Sequence, residues 1–322
     1  MIKVGIIGGA GYTAGELIRI LINHPNVEIK FVNSSSNAGN KITSVHGGLI
    51  GETDLSFTDQ SPLGEIDVLF FCTAHGDTKK FMDTNTIPKG LKIIDLSTDY
   101  RKESAEHGFV YGLPELNKSR IQAAERVANP GCFATAIQLA LLPLAKAGLL
   151  KNEVHVNAIT GSTGAGQSPT DTSHFSWRND NVSVYKVFDH QHLAEITQSV
   201  KQLQGDFKTA INFIPVRGNF SRGIFATIYT ECPLSLDEAK KLYSDFYSDA
   251  AFTFIADKNI DLKQVVNTNK ALLHLEKHGN KLFIVSVIDN LLKGASGQAV
   301  QNMNLLFGLN EKTGLNLKPI GF

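Results

Sequence analysis

The residue whose neighbours best equip it for covalent chemistry is Cys132. It lies in Asn129-Pro130-Gly131-Cys132-Phe133-Ala134-Thr135, a tight Pro-Gly turn that opens into an apolar run, Ala136 to Leu142, with no strand alternation. The pattern predicts a buried helix with Cys132 in its first turn. Outward-pointing backbone N–H groups and the positive end of the helix dipole stabilise an anion there, and the thiolate is the reactive form of cysteine. A cysteine in apolar surroundings is more often a packing residue. Here the turn before it, and the polar Asn129 and Thr135 on either side, favour a nucleophile. Cys72 ends an apolar strand pattern without a helix start and reads as core.

A nucleophile of this kind needs a proton-transfer partner. The best candidates lie in Asp189-His190-Gln191-His192-Leu193-Ala194-Glu195. The spacing predicts a helix beginning here, with Asp189 as its cap. Glu195 follows His192 by one turn on the same face, where it can orient that imidazole. His190 and His192 are both candidates for acid/base work, and spacing does not choose between them. Alternate histidines on a strand could instead bind a metal. With a helix expected and no third histidine or cysteine nearby, no metal is expected.

The scaffold for these groups is that of an ordinary enzyme. A chain of 322 residues with 42% hydrophobic content suggests about two domains with real cores. Its 31 basic and 31 acidic residues balance, so neither nucleic acid nor an anionic membrane is the expected partner. The three cysteines form no CxxC pair, which argues against a disulfide framework or structural zinc and fits a reducing cytoplasm. No signal peptide is expected, because the N-terminus runs straight into a strand pattern, and no apolar run is long enough to span a bilayer.

The first half reads as a doubly wound α/β unit. Ile2 to Ile7 is a buried-strand run, followed by Gly8-Gly9-Ala10-Gly11-Tyr12-Thr13-Ala14-Gly15 and a helical pattern from Glu16 to Asn23. A glycine turn between strand and helix lets backbone amides approach a pyrophosphate, so dinucleotide binding is expected. The next strand, Val27 to Val32, ends in Asn33-Ser34-Ser35-Ser36-Asn37, with Lys41 beyond. An acidic residue there would hold a ribose hydroxyl; hydroxyls and amides instead tolerate a 2′-phosphate, which favours NADP over NAD. Two further buried strands, Val68–Cys72 and Leu91–Leu96, end in the polar loops Thr73–Asp77 and Ser97–Arg101. Both loops should face the crevice where such sheets bind ligands. Arg101 could clamp an anionic substrate, or pair at the surface with Asp99 or Glu103.

Beyond the Cys132 helix the pattern changes to a mixed sheet with helices on one face, a separate α+β domain. Its expected strands are Glu153–Ile159, Phe207–Pro215, Gly223–Thr230, Ala251–Ile255 and Lys281–Ile288. Helices are expected near Leu193–Gln204 and Leu236–Ser248, and a last one over Gly297–Phe307. The loop Thr160-Gly161-Ser162-Thr163-Gly164-Ala165-Gly166 is rich in backbone donors.

Together these segments resemble the N-acetyl-γ-glutamyl-phosphate reductases, the arginine-pathway members of the aspartate-semialdehyde dehydrogenase superfamily. The resemblance runs end to end. It rests on Gly8–Leu17, Asp95–Arg101, Tyr111-Gly112-Leu113-Pro114-Glu115, Asn129–Cys132, Gly164-Ala165-Gly166, His190–Glu195 and Asp289–Asn302. It implies an NADPH-dependent reduction of an acyl phosphate through a thioester on Cys132. One or both of His190 and His192 then serve the acid/base step with Glu195, and the C-terminal helix returns to the nucleotide domain. The expected division is 1–131 with 293–322 for the dinucleotide and 132–292 for catalysis. Candidate substrate-binding residues are Arg101, Asn129, Gln167 and Arg222. Candidate cofactor-binding residues are Gly8, Gly11, Tyr12, Thr13, Ala14, Ser34, Ser35, His75, Ser162, Gly164, Gly166 and Asn290. A homodimer or homotetramer is implied.

Several positions depart from the family pattern. Ala14 stands at the third glycine of the turn, Ser34-Ser35 replaces a serine-arginine pair, and Cys132-Phe133-Ala134-Thr135 replaces Cys-Tyr-Pro-Thr. The segment Phe213-Ile214-Pro215-Val216-Arg217-Gly218-Asn219 adds an arginine. The N-acetyl substrate is expected. An N-succinyl substrate, whose carboxylate Arg217 could pair, is the alternative, with an aspartate-semialdehyde dehydrogenase-like activity behind it. A nucleotide sensor without catalysis would have no use for Cys132 and the two histidines.

Overall fold

Apolar segments of the N-terminal part pair side by side in one parallel sheet. In chain order they are β1 (Ile2–Ile7), α1 (Tyr12–Leu21), β2 (Val27–Asn33), β3 (Val68–Phe71), α2 (Asp77–Thr84), β4 (Lys92–Asp95), β5 (Val110–Tyr111), α3 (Pro114–Gln122) and β6 (Arg126–Ala128). The strand order is β2-β1-β3-β4-β6-β5, and every neighbouring pair is parallel. Every residue of β3 is buried, as a strand covered on both faces requires. Ile7, Phe31, Leu69, Phe71 and Ile93 lie in one core cluster of this unit. The computed structural model describes residues 1–321.

Helix α1 begins at Tyr12 rather than at Glu16 as the pattern suggested. Gly8, at φ +81°, makes the turn alone, and Gly11 is already the cap, its carbonyl accepting from Gly15 N–H at 3.0 Å. The residues read as a loop are therefore the first helical turn.

The second set begins with α4 (Cys132–Lys146), β7 (Val154–Thr160), the short α5 (Phe175–Arg178), β8 (Ser183–Val184), α6 (His192–Leu203) and β9 (Ile211–Arg217). It continues with β10 (Ile224–Glu231), α7 (Leu236–Phe246), β11 (Thr253–Ala256), β12 (Ala271–His278) and β13 (Lys281–Ile288). The last helix is α8 (Ser296–Leu306). These seven strands form a mixed sheet in the order β11-β12-β13-β10-β7-β9-β8. Strand β7 is antiparallel to β10 and parallel to β9. Strand β12 went unrecognised in the sequence because its leucines and charges lack a clean alternation. It pairs with β13 through the tight turn at Gly279-Asn280, where Gly279 takes φ +57°.

The chain divides into two compact units, one of Met1–Pro130 and Ala295–Asn316, the other of Gly131–Gly294 with residues 317–321. In the first, α8 packs on α1, α3 and β4. In the second, α4 is buried from Phe133 to Ala145 and packs on β10, β13, α6 and α7. Pro143 inside α4 cannot donate a hydrogen bond to the Leu139 carbonyl. Tyr247 does so instead through its hydroxyl, at 2.5 Å, and Tyr243 takes the neighbouring Ala140 carbonyl. The proline is thus accommodated without an orphaned buried carbonyl. Among the described residues no helix is long and apolar enough to cross a membrane.

Candidate active site

Cys132 is the first residue of α4, and Gly131 caps the helix in an extended conformation without a side-chain cap. Two side chains hold this start in place. Thr135 donates from its hydroxyl back to the Gly131 carbonyl at 3.0 Å, and its own N–H reaches the same oxygen at 2.8 Å. Glu195 accepts from the Gly131 N–H at 2.9 Å, a buried charge-assisted bond. Its other oxygen lies 3.8 Å from His192 Nε2, within ion-pair range and beyond a hydrogen bond. The spacing sets Glu195 to orient His192, and in the structure it also hydrogen-bonds the turn that carries Cys132. Gly294 closes the other side, since a Cβ there would come within 2.8 Å of the Cys132 Cβ and 2.7 Å of the Asn290 carbonyl.

The two histidines sit in different surroundings. His190 is 5% exposed and packs edge-on against Phe133, Phe213, Tyr185 and His192. Its Nδ1 accepts from the His192 N–H at 3.3 Å, which leaves its proton on Nε2. Burial, aided by the nearby Lys186 charge, pulls its pKa down to about 4, so it is neutral at pH 7. Asp189 does not cap the helix. The chain spends Lys186 and Phe188 in left-handed conformations before His190 turns inward, α6 starts only at His192, and Gln191 occupies the cap. Phe188 N–H donates to the Phe213 carbonyl at 2.9 Å and fastens this loop to β9.

Sequence reasoning passed over Tyr185, a residue beside the pair. Its phenol is held well above the ordinary tyrosine range, first by burial and then by the potential charge of Cys132, against the opposing Arg217. The Arg217 guanidinium lies 4.4 Å from the centre of the Tyr185 ring. A lone tyrosine between polar loop residues carries no spacing signal that could have singled it out.

After β7, Ser162–Ala165 form a short 3-10 turn, with Gly164, Gly166 and Gln167 exposed. Asn290 underpins this turn, accepting from Gly223 N–H at 2.7 Å and donating to Thr163 Oγ1 at 3.0 Å. Asn290 was a cofactor candidate, but both ends of its amide are engaged in holding loops. Arg222 pairs with the fully buried Asp289 at 3.0 Å, which fixes where its guanidinium can point.

In the first unit, the turn after β1 forms a cradle. A Cβ at Gly8 would come within 2.7 Å of the Cys72 carbonyl, and one at Gly9 within 2.3 Å of Val32. Gly11 differs: its φ of −75° suits any residue, and a Cβ there would meet no protein atom nearer than 3.8 Å. Protein packing does not demand glycine at this helix start, so the space it leaves fits a pyrophosphate. Beside it Tyr12 is exposed, Ala14 is buried, and the Thr13 carbonyl accepts from Ser296 Oγ at 2.7 Å. Cys72 lies under the turn, its thiol pushed up to about 12 by burial, and so behaves as a packing residue. After β2, Ser34 is buried and accepts from Asn37 Nδ2 at 3.0 Å, Ser35 is exposed, and Lys41 pairs with Asp54.

The loops after β3 and β4 are tied to each other. Asp99 accepts from the Gly76 and Lys79 N–H groups, and His75 Nδ1 accepts from Thr98 N–H at 3.2 Å. Glu103 pairs with Arg120, and Arg101 points inward. It is buried and donates to the carbonyls of Asn129 and Leu96 at 2.9 and 2.8 Å. Asn129 likewise spends its side chain inside this unit, donating to the Ala295 carbonyl and accepting from Asn302. Both substrate candidates of this unit thus also tie its loops.

Residues 3–124 match the family model described as semialdehyde dehydrogenase, NAD binding domain, and residues 132–290 match semialdehyde dehydrogenase, dimerisation domain. The chain is 70% identical to the N-acetyl-γ-glutamyl-phosphate reductase of Parabacteroides distasonis and 67% identical to that of Bacteroides thetaiotaomicron, over the full length of both partners in each case. Among solved structures it is similar to aspartate semialdehyde dehydrogenase II of Vibrio cholerae complexed with ASA, with a TM-score of 0.74 at 16% identity, covering 96% of this chain and 98% of that one. It is also similar to the aspartate semialdehyde dehydrogenase with NADP of Candida albicans, with a TM-score of 0.72 at 13% identity, covering 95% of this chain and 99% of that one.

The cradle makes a paired prediction. Gly11→Ala should leave Tm nearly unchanged while raising the Kd for NADPH about tenfold or more, a loss of ~1.4 kcal/mol. Gly8→Ala should lower stability by about 1–3 kcal/mol, because its φ of +81° is strained for alanine. Thermal melts and fluorescence titration of NADPH separate the two; an unchanged Kd in Gly11→Ala would show that no ligand approaches there.

Proposed function

The chain belongs to the N-acetyl-γ-glutamyl-phosphate reductase branch of the semialdehyde dehydrogenase family, and we propose that it reduces a γ-glutamyl phosphate carrying an N-acyl group, N-acetyl in the branch's name, to the 5-semialdehyde with NADPH, releasing phosphate. The observation that carries this reading is Cys132 at the start of a buried helix whose turn Glu195 holds, with the neutral His190 packed on the adjoining Phe133.

Cys132 is the nucleophile. Its thiolate attacks the γ-acyl carbon, the carbon–oxygen bond to phosphate breaks, and the acyl group is left as a thioester on Sγ. The first-turn N–H groups of α4 face the developing oxyanion, a contribution of roughly 3 kcal/mol for one well-placed donor. NADPH, when bound by the glycine cradle and the Ser34-Ser35 loop, would supply the hydride to the thioester carbon, and the carbon–sulfur bond then breaks to release the aldehyde and return the Cys132 thiolate. His190 handles the proton at the substrate oxygen: its Nε2 carries hydrogen, and its ring shares Tyr185 and Phe133 as neighbours with the cysteine. His192 is a positioning residue, set against the Glu195 carboxylate that holds the Gly131 turn. This is a biosynthetic step of the arginine pathway, carried out in the cytoplasm by a homodimer or homotetramer.

Three tests bear on this reading. Cys132→Ser should fold and bind NADPH while losing nearly all turnover, since serine offers no stabilised anion at that position. In the wild type, a thiol reagent at pH 7 should modify Cys132 and spare Cys72, whose pKa of about 12 keeps it protonated. Substantial turnover by the serine variant would rule the thioester out.

His190→Asn should lower kcat by a factor of about 10² to 10⁴, and His192→Asn by less. The depressed pKa of His190 also has a sign. Its neutral form favours the folded state, a contribution present above the unfolded value near 6.5 and lost as pH falls towards 4. Wild-type Tm should therefore fall more steeply than that of His190→Asn between pH 6.5 and 4.5. Parallel curves, or a larger rate loss at His192, would reverse the two roles.

NADPH should be preferred to NADH, and Ser35→Asp should shift the preference towards NADH by setting a carboxylate against the 2′-phosphate. If kcat/KM of the wild type is the same for both cofactors, the serine loop does not read that phosphate.

A further inference from the structure

We propose that the second unit carries, along the same face as His190 and Phe133, a subsite for a carboxylate at the far end of the substrate's N-acyl group, with Arg217 as its cation. The inference rests on the reductase reading and names a preferred substrate class for it: glutamyl phosphates whose nitrogen bears a dicarboxylic acyl group.

Strand geometry sets the arrangement. Side chains of β9 alternate, so Phe213, Pro215 and Arg217 share one face, with Phe213 and Pro215 buried. Phe213 begins this row at the reaction centre, its ring 5.2 Å from Phe133 and 5.4 Å from His190. Arg217 ends the row, and its guanidinium reaches back over the Tyr185 ring, whose centre is 5.7 Å from that of His190. Tyr185 lies between the ends, touching His190 with its ring on one side and carrying Arg217 over its face on the other.

The charge of Arg217 is unspent. Its polar partners are the Thr172 hydroxyl and Tyr185, both neutral, and among the described residues no carboxylate lies within ion-pair distance of it. A partly buried guanidinium stacked on an aromatic ring and lacking a counter-ion suits an anionic ligand. A second cation stands nearby. Ser183 lies directly opposite Arg217 across the β8–β9 pair, so their side chains share a face. Arg178 donates to that serine's hydroxyl at 3.2 Å and is only 7% exposed, yet its Nε and Nη1 have no hydrogen-bond partner. Buried donors left in this state are costly unless a ligand or water takes them. A bare acetyl group would offer these arginines nothing.

The test measures kcat/KM in the oxidative direction, with NADP and phosphate, for N-acetyl- and N-succinyl-glutamate semialdehyde. The wild type should favour the succinyl compound about ten- to hundredfold, the range for a charge-assisted contact. Arg217→Gln keeps a hydrogen bond to Thr172 and removes the charge; it should bring the ratio of the two values close to one, and Arg217→Lys should restore part of it. NADPH binding and a thermal melt verify that each variant is folded. Equal use of the two compounds by the wild type, or a preference for acetyl, would overturn the subsite. So would a loss in Arg217→Gln that falls equally on both, since that places Arg217 on a group common to them. Failure of the folded wild type with both compounds would instead remove the reductase reading, and the subsite with it.

Discussion

The hydrogen bond from the Gly131 N–H to the Glu195 carboxylate is the contact on which the candidate site depends. Helix α4 has to be buried along nearly its whole length and still present its first residue to a substrate. Packing alone would let such a helix slide or fray at its start, because its first N–H groups have no partners within the helix. A carboxylate taken out of water must in turn find donors, so its position is as constrained as the turn it holds. Glu195 belongs to α6, which packs against α4, and the bond therefore locks two helices and a turn with one group. Gly294 completes the constraint, as only a residue without a Cβ can pass so close to Cys132.

Further into the second unit, aromatic rings surround His190, and the nearest cations gather at their edge. His190, Phe133, Phe213 and Tyr185 form an aromatic wall in which burial holds the histidine neutral and the phenol protonated. In such surroundings a thiolate is the principal anion, and its interactions are little screened. The arginines Arg178 and Arg217 stand where the wall ends. Strand alternation on β9 thus sets Phe213 in the aromatic wall and Arg217 at its edge.

The first unit applies the same economy of carboxylates to its loops. Asp99 ties the loop after β4 to the start of α2. The fully buried Asp95 is held by Ser97 and Thr78, with burial raising its pKa against those bonds and the nearby Arg101. Arg101 and Asn129, which look like ligands of an anion when read in the chain, also tie strand ends together. Rigid strand-end loops leave the glycine turn as the open part of this unit, with the vacant side of Gly11 as its centre.

Much of this was legible in the sequence, for reasons that can be named. The parallel sheet announced itself because strands buried on both faces are continuous apolar runs, and the Cys132 helix because a Pro-Gly turn precedes a run with no alternation. Local geometry also fixed the glycine turn and the placing of Glu195 one turn after His192. Where local signals were weak, reading failed: β12 lacked alternation, α1 was begun a turn late, and Asp189 was taken for a cap that left-handed residues had carried out of reach. Only the tertiary structure decided which partner each polar group found. Sequence spacing could join Glu195 to His192 but not to Gly131, and could not tell Arg101, spent on backbone carbonyls, from Arg217, left without a counter-ion. Hydrogen bonds and burial between residues far apart in the chain set those outcomes, and such pairings leave no trace in the spacing of either partner.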